Sequence, residues 1–304
     1  MIPRLTTLDR KRWRLVGLLS PITLFLGVFF LAPLSIMLVY AFLEPGLYGG
    51  VEWNYYHHNF GRILGWADGE FEEFDLVYLQ IFARSFRLAL TTVLGALLIC
   101  FPAAFWVSRL DDRWKTLCLF LITLPFFASL VVRLFAWVII LKPSGFINQT
   151  LISMGLIERP FDMLYTEGAV ILGMIYIFIP FMFLPLYASL EKLDRSLIEA
   201  SSDLGASRLK TFLRVTLPLS LPGIIGGSII VFIPSLGNFI VPDLLGGAKV
   251  LMIGNLVEQQ FLQARNWPFG SALAMMIMVA VLIFLLIYVS VVTRSETMSE
   301  GREF

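Results

Sequence analysis

The chain contains six long apolar segments, and their length constrains its fold more than any other feature of the sequence. A helix rises about 1.5 Å per residue and the hydrocarbon core of a bilayer is about 30 Å thick, so a span needs roughly 20 mostly apolar residues. The segments that meet this requirement are residues 15–42, 86–108, 117–140, 168–190, 223–242 and 269–293. The composition agrees, because 58% of the residues are hydrophobic and only 15% are charged. The sequence therefore predicts an all-α integral membrane protein with six transmembrane helices.

The first apolar segment follows several basic residues, as a secretory signal would. Its uninterrupted run over residues 15–42 is 28 residues long, whereas the core of a signal peptide has about 7 to 15. We therefore expect this segment to be retained as a membrane anchor.

Lysine and arginine are distributed unequally along the chain. Of the 23 such residues, 15 fall in the N-terminal segment, the 109–116 loop, the 191–222 loop or the C-terminal tail. Positive residues near span ends resist translocation, so these parts and both termini are predicted to be cytoplasmic. The outer loops are net negative, and such a surface would attract a cationic solute or a basic partner.

The spans also define the expected domain organisation. The predicted parts are a cytoplasmic segment at 1–14, a first helix with its outer loop at 15–85, a core of five helices at 86–293 and a cytoplasmic tail at 294–304. The net charge of +1 gives no signature of polyanion binding, so membrane lipid is an expected partner and nucleic acid is not.

Residues that commonly carry chemistry are scarce. Cys100 and Cys118 lie inside apolar segments, where a thiol behaves as a small hydrophobe. His57 and His58 lack companion ligands, and their side chains would point apart on a strand, so no metal site is predicted. Metalloprotease, serine-hydrolase and redox-dithiol motifs do not occur, and the run Gly205–Thr211 lacks the glycine that precedes the lysine of a nucleotide-binding loop. We predict that the chain is not an enzyme and binds no cofactor.

The 191–222 loop carries strong local signals for a helix outside the membrane. Ser196 and Glu199 have the spacing of a capping box, which predicts a helix that begins at Leu197. Gly205 tolerates the left-handed conformation that closes many helices, so the helix is predicted to end at Leu204. A second amphipathic stretch follows and is predicted to stop at two prolines, Pro218 and Pro222.

The predicted helix in this loop is too short to be stable alone. Eight residues form about two turns, which are marginal in water without a surface to pack against. Helical spacing places four small or apolar residues on one face: Leu197, Ala200, Ser201 and Leu204. Another protein is the expected partner of this face. A helix that lies on the membrane surface without a partner would explain the basic stretch after Gly205 but not the small-residue face.

Part of this loop resembles a known motif. Glu199-Ala200-Ser201, three residues, Gly205, nine residues and Val215-Thr216-Leu217-Pro218 are similar to the EAA loop of ABC importer permeases. Ser201 replaces the usual alanine and Val215 the usual isoleucine, and both changes preserve size or shape. The segments that begin at Pro180, Asp243 and Asn266 also resemble those of spermidine/putrescine permeases of the PotB and PotH type.

The resemblance implies a fold, a location and a set of partners. It implies the type I importer permease (MetI-like) fold in the bacterial inner membrane, with a pathway for putrescine or spermidine shared with a second homologous permease. It further implies two ATPase subunits that use ATP and Mg²⁺, and a periplasmic binding protein that delivers the solute. The residues that would contact the ATPase are Glu199, Ala200, Ser201, Leu204 and Gly205.

The fifth apolar segment is the best candidate for a solute pathway. Transporter sites form where helices are broken near the bilayer midplane, and Pro234 would free a backbone carbonyl that could face a cation. Asn238, a side-chain amide in an apolar run, could contact the solute or hydrogen-bond another helix. Asp243 at the outer end could attract an ammonium group or be an interfacial acid.

Aromatic residues of the fourth segment form a second set of candidates. Tyr176 and Phe181 could attract ammonium groups through their ring faces, although an aromatic stripe in a membrane helix more often serves packing. Arg87 and Arg133 are placed near outer span ends, where their stems could reach the interface, and neither is assigned to the solute.

Two other functions remain open at this stage. The same class of importer could carry another small cation or an amino-acid-like solute. An ion-driven secondary transporter usually needs inverted repeats and buried ionisable residues, which the sequence does not display.

Overall fold

The computed structural model describes residues 7–66 and 74–300, with side chains for residues 15–66, 74–194 and 196–286. The chain forms two compact units. The first comprises residues 1–75 and 259–280, and the second comprises residues 76–258 and 281–304. Four acids of the predicted outer surface, Asp68, Glu70, Glu72 and Glu73, lie outside the described residues.

The first span consists of three helical segments in the first unit. They are α1 at Thr7–Leu26, a π-helical turn at Gly27–Leu31 and α2 at Ala32–Tyr40. None of the side chains along Leu15–Tyr40 is buried, and most of them are exposed on the protein surface. A helix that is apolar on all sides and has no protein cover is suited to lipid contact, as the sequence predicts.

A small β-hairpin and a short helix form the described part of the first outer loop. Strands β1, Leu43–Pro45, and β2, Val51–Tyr55, pair antiparallel and are followed by α3, His58–Leu64. The buried Asn59 side chain donates hydrogen bonds to the carbonyls of Ala41 and Leu43, both at 3.1 Å, and so attaches α3 to the hairpin. His57 and His58 lie at the start of a helix, not on a strand, and their ring centroids are 4.3 Å apart. The expectation that these side chains point apart is therefore wrong.

Three long helices form the core of the second unit: α4, Val77–Val107; α8, Glu167–Glu191; and α12, Leu221–Leu236. Helices α4 and α8 run parallel, because Arg87 of α4 pairs with Glu167 at the start of α8, and Cys100 Sγ, further along α4, donates to the Ile179 carbonyl, further along α8. Helix α12 runs antiparallel to α8, because Gly223 lies against Pro185 and Gly227 against Met182. The core is therefore built from helices that are distant in sequence.

The third apolar segment is broken, so the predicted single helix over 117–140 is wrong. The structure has α5 at Asp112–Thr123, a 3-10 turn at Leu124–Phe127 and then α6 at Leu130–Leu141. Pro125 lacks an amide hydrogen, and Ala128 is extended with φ −89° and ψ 142°, so the helical hydrogen bonds cannot continue. Another short helix, α7, follows at Phe146–Ser153.

The remaining described elements are four short helical segments between α8 and α12 and, after α12, two helical turns, one short helix and one long helix. They are α9 at Arg195–Asp203, α10 at Arg208–Thr211, a π-helical segment at Phe212–Thr216, α11 at Leu217–Leu219, a π-helical turn at Pro242–Gly246, a 3-10 turn at Gly247–Lys249, α13 at Ile253–Leu262 and α14 at Trp267–Glu300.

Among the described residues, five helical stretches are long and apolar enough to span a membrane. They are Leu15–Tyr40, Val77–Val107, Leu130–Ser153, Glu167–Glu191 and Trp267–Leu286. A sixth span results when Arg208–Leu219 and Leu221–Leu236, which meet at a 62° bend, are counted together. The predicted total of six is reached only with this bent pair.

Candidate functional site

Helix α9 begins two residues earlier than the sequence predicts. Asp194 is its N-cap, with an extended backbone and a side chain that accepts a hydrogen bond from the Ser196 amide at 2.9 Å. The predicted capping box of Ser196 and Glu199, with a start at Leu197, is therefore wrong, because Asp194 already occupies the capping position.

The Asp194 cap is in its charged form at neutral pH. The Ser196 amide and hydroxyl hold the pKa of the Asp194 carboxyl below its usual value. A lowered pKa means that the cap stabilises the folded helix at pH values above the pKa of an unfolded aspartate, about 3.9, and that this contribution is lost as the pH falls through the lower, folded pKa.

The end of α9 agrees with the prediction. Gly205 has a left-handed backbone with φ +79°. Its amide donates to the Ser202 carbonyl at 2.9 Å, and the next amide, of Ala206, donates to the Ser201 carbonyl at 3.1 Å. This pair of bonds is the Schellman motif, which satisfies carbonyls that the end of a helix leaves without partners.

The four residues predicted to form one contact face of α9 are not all exposed in the structure. Leu197 and Leu204 are 46% and 88% exposed, and Ala200 is also exposed between them. Ser201 turns inward, where its hydroxyl lies 2.9 Å from the hydroxyl of the buried Thr211. Leu197, Ala200 and Leu204 therefore form an outward ridge, and Ser201 holds α9 against α10.

The chain returns to the helix bundle through a bend at Ser220. Pro218 lies in the first turn of α11 and Pro222 in the first turn of α12. The sequence predicts that these prolines stop the amphipathic stretch. The stretch does end there, because Arg208–Leu219 and Leu221–Leu236 meet at a 62° bend between the two prolines. Pro222 fits the start of α12, since a proline in a first turn loses no intrahelical hydrogen bond.

The start of α12 is packed closely against α8. A Cβ atom on Gly223 would lie 2.7 Å from the Pro185 carbonyl oxygen, and one on Gly227 would lie 3.2 Å from the Met182 carbonyl oxygen. Small residues at this spacing let two membrane helices approach closely. The 191–222 loop therefore leads into a helix that is packed closely on α8.

The same C-terminal end of α8 is joined to α5 by charged and polar residues. Lys115 Nζ lies 3.5 Å from Glu191 Oε1, and the Tyr187 hydroxyl donates to the same oxygen at 2.6 Å. These contacts connect the C-terminal end of α8 to the 109–116 loop.

The aromatic candidates on α8 are engaged by other rings. The Tyr176 ring lies 5.6 Å from Trp137, and the guanidinium of Arg133 lies 6.0 Å from its centroid. Phe181 contacts Phe126 edge-on at 5.2 Å and is 39% exposed. These contacts favour a packing role for the aromatic residues of α8, although Phe181 remains partly exposed.

The fifth apolar segment is broken near the predicted position, and α12 ends at Leu236. Asn238 Oδ1 accepts a hydrogen bond from the Val241 amide at 3.0 Å and so caps the next helical turn. That bond is local and ties the Asn238 side chain to the turn that follows it, not to another long helix. Pro234 is exposed on the surface of α12.

Asp243 lines a cavity of about 410 Å³ on the predicted outer side. Phe135, Tyr165 and Lys249 also line this cavity. Tyr165 has a positive φ of 61°, uncommon for a residue with a side chain, and its ring lies against Gly247. Of the residues predicted to line the solute pathway, Asp243 therefore offers an exposed carboxylate in a cavity that is also lined by aromatic rings.

The structure also contains charged contacts that the sequence analysis missed. Arg87 Nη2 donates to both carboxylate oxygens of Glu167, at 2.8 and 2.7 Å, and Arg84 Nε lies 3.6 Å from the same carboxylate. Arg87 is thus paired instead of reaching the interface alone. The sequence does contain a signal for this pairing. It has two arginines three residues apart, on one helix face, and one acid at the start of the fourth segment.

Arg133 has a buried nitrogen that its predicted place near the outer end of the span does not explain. It is in the first turn of α6, and eight residues, or roughly 12 Å of helix, separate it from Leu141 at the other end. Its Nε atom is buried and has no hydrogen-bond partner among the described residues.

Comparisons with known proteins identify relatives over most of the chain. Residues 95–295 match the family described as binding-protein-dependent transport system inner membrane component. The spermidine/putrescine transport system permease PotB of Escherichia coli K12 is 42% identical over 214 residues, which are 70% of this chain and 78% of the relative. The corresponding permease of Haemophilus influenzae is 44% identical over 213 residues, covering 69% and 74%.

A solved structure has the same fold. The match is a chain of a bacterial alginate ABC transporter in complex with a periplasmic protein that carries an alginate pentasaccharide, with a TM-score of 0.73. The alignment covers 94% of this chain and 96% of that chain at 19% identity.

Proposed function

The chain belongs to the binding-protein-dependent transport system inner membrane components, and on this basis we propose that it is a permease subunit of an ATP-driven polyamine importer. It is a multi-pass inner membrane protein of a transport system, not an enzyme. Together with a second, homologous permease it forms the pathway, and a periplasmic binding protein delivers putrescine or spermidine. Two separate ATPase subunits bind ATP and Mg²⁺.

The exposed ridge of α9 is the observation that carries the coupling role. Leu197, Ala200 and Leu204 project from a short helix that cannot be stable without packing, and Glu199 lies beside them on the exposed surface. A cleft in an ATPase subunit would bury this ridge. Ser201 and Gly205 set its position, through the Thr211 contact and the left-handed turn.

The route from α9 into the membrane supports the same role. The loop continues through α10 and α11 to the bend at Ser220, and α12 begins with Gly223 against α8. A rigid-body movement of α9 would therefore change the packing of α12 on α8, two helices of the core.

The polyamine assignment is supported by relatives and by the outer cavity. The two relatives above are named as spermidine/putrescine permeases. Asp243 offers a carboxylate for an ammonium group, and the rings of Phe135 and Tyr165 line the same cavity. Another small cation or an amino-acid-like solute is the alternative substrate.

Reconstitution provides the test. The purified complex with its ATPase subunits, in vesicles supplied with the binding protein, is expected to take up labelled spermidine or putrescine only when ATP and Mg²⁺ are present on the ATPase side. Uptake that persists without the ATPase subunits, driven by an ion gradient, would support a secondary transporter instead. Uptake of an amino acid but not of polyamines would contradict the polyamine assignment, but not the assignment to the ATP-driven importers.

A further inference from the structure

A polar cluster joins α5 to the last residue of α8, shortly before α9 begins. Oε1 of Glu191 accepts a hydrogen bond from the Tyr187 hydroxyl at 2.6 Å, and Lys115 Nζ lies 3.5 Å from the same oxygen. Lys115 Nζ also lies 3.5 Å from Asp112 Oδ1. One carboxylate oxygen at the end of α8 therefore contacts a group of its own helix and a group of α5.

The two ion pairs of Lys115 differ in their surroundings. Asp112 lies three residues earlier on α5 and its side chain is fully exposed, whereas Glu191 belongs to another helix and its side chain is 44% exposed. The Lys115 side chain itself is only 17% exposed. Solvent weakens an exposed ion pair, and a pair within one helix cannot hold two helices together. The pair with Glu191 is therefore the one that can connect α5 to α8.

Helix α5 has no fully buried side chain that would fix its position. None of its 12 residues, all of which the structure describes, is buried. Helical spacing places four half-buried residues on one face of α5: Lys115, Cys118, Leu119 and Ile122. A 3-10 turn follows α5, so the helix is not continuous with α6. The position of α5 therefore depends on a half-buried face in which Lys115 makes the polar contact.

The polar cluster also lies next to α9. Two residues separate Glu191 from Asp194, the N-cap of α9. The Leu193 amide donates to the Leu190 carbonyl at 3.3 Å, so this short connection is a hydrogen-bonded turn. Ile198 of α9 and Glu191 line the same cavity of about 180 Å³. A movement of α9 would therefore reach Glu191 through few backbone bonds.

From this geometry we propose that Lys115 and Glu191 form a second coupling contact, through which α5 moves together with α8 when an ATPase subunit displaces α9. The contact stays closed during the movement and carries it into the broken third span. Tyr187 is a positioning residue, because its hydroxyl holds the carboxylate oxygen that Lys115 contacts. The inference rests on the coupling role proposed above for α9, and it does not depend on which solute is carried.

The test measures uptake of labelled spermidine or putrescine together with phosphate release, in vesicles that contain the complete complex and are supplied with the binding protein. The test variants are Lys115→Gln and Glu191→Gln, and the matched control is Asp112→Asn, which removes the exposed partner of the same lysine. We expect both test variants to hydrolyse ATP but to take up several-fold less solute per ATP, and the control to match the wild type. Unchanged uptake per ATP in the test variants, or an equal loss in the control, would overturn the proposal. Absence of ATP-driven uptake in the wild type would instead contradict the proposed function, and with it this inference.

The role of Tyr187 is tested by combining two variants. Tyr187→Phe removes only the hydroxyl and is expected to lower uptake per ATP by less than Glu191→Gln does. In the Glu191→Gln background the same change should have no further effect, because the hydroxyl acts through the carboxylate. A further loss of the same size in that background would contradict the positioning role.

A covalent link tests whether the contact stays closed during transport. In a background with alanine at Cys100 and Cys118, Lys115→Cys and Glu191→Cys are combined and then joined by a bis-maleimide. We expect low uptake per ATP before cross-linking and a several-fold rise after it, because the linker replaces the ion pair. Uptake per ATP that does not rise on cross-linking would overturn the proposal, since a closed link between α5 and α8 would then not support coupling.

Discussion

At the scale of single residues, one backbone angle shapes the coupling loop. Gly205 has φ +79°, and a Cβ atom added there would meet nothing within 4 Å. Glycine is therefore required by conformation and not by space. The sequence predicts this residue correctly because the need for glycine at the end of a helix is a local property. It predicts the start of the same helix incorrectly because both Asp194 and Ser196 are good caps, and sequence spacing alone favours the wrong one.

Replacing Gly205 by valine is expected to uncouple ATP hydrolysis from solute uptake. A β-branched residue in a left-handed conformation costs about 1–2 kcal/mol, roughly a 5- to 30-fold change in the population of the correct turn. We expect the complex to insert and to hydrolyse ATP, but uptake per ATP should fall several-fold. Uptake and phosphate release are measured together in vesicles.

The matched control for this variant is Gly205→Asn. Asparagine tolerates the left-handed region better than other residues with side chains, so it should retain most of the coupling. Undiminished uptake in the valine variant would show that the turn at Gly205 is not needed.

At the scale of elements, glycines determine how close α12 comes to α8. Gly223, Gly226 and Gly227 lie together in the sequence but differ in surroundings. A Cβ atom at Gly223 would be 2.7 Å from a backbone oxygen, whereas one at Gly226 would have its nearest neighbour at 4.0 Å. The sequence shows the cluster, and only the packed pair of helices shows which member is required.

Gly223→Ala is expected to destabilise the complex and Gly226→Ala is not. The methyl group at Gly223 must displace the backbone of α8, and overpacking of this kind costs about 1–3 kcal/mol. At Gly226 there is room, and alanine is the better helix former. Thermal unfolding followed by size-exclusion chromatography should show a lower midpoint for Gly223→Ala only. Equal midpoints for the two variants would contradict the close approach.

At the scale of the whole molecule, the membrane and the basic residues set the orientation. The loop that contains α9 is predicted to be cytoplasmic, and the loop after α7 is predicted to be external. Both loops belong to the second unit, which contains the core helices. Membrane insertion is decided by segments of about 20 residues and by nearby lysine and arginine, so this level of organisation is readable from the sequence.

Cysteine labelling tests this orientation. Glu158 is exposed and Leu204 is 88% exposed, so a cysteine at either position should react readily with a soluble reagent. In a background with alanine at Cys100 and Cys118, a membrane-impermeant maleimide added to spheroplasts should label Glu158→Cys at once. In cells that lack the ATPase subunits, which would otherwise cover Leu204, the reagent should label Leu204→Cys only after permeabilisation. The opposite labelling pattern would show that the loop with Leu204 is external and the loop with Glu158 is cytoplasmic.

The sequence by itself determined the membrane class, the existence of α9 and its end at Gly205, because each depends on residues within one span or one helical turn. Only the tertiary structure decided the pairing of Arg87 with Glu167, the inward turn of Ser201 onto Thr211 and the burial of the Arg133 Nε atom. Arg87 and Glu167 are 80 residues apart. Contacts of this kind depend on which helix faces pack together, and a linear pattern of apolar residues does not specify that choice when almost every face is apolar.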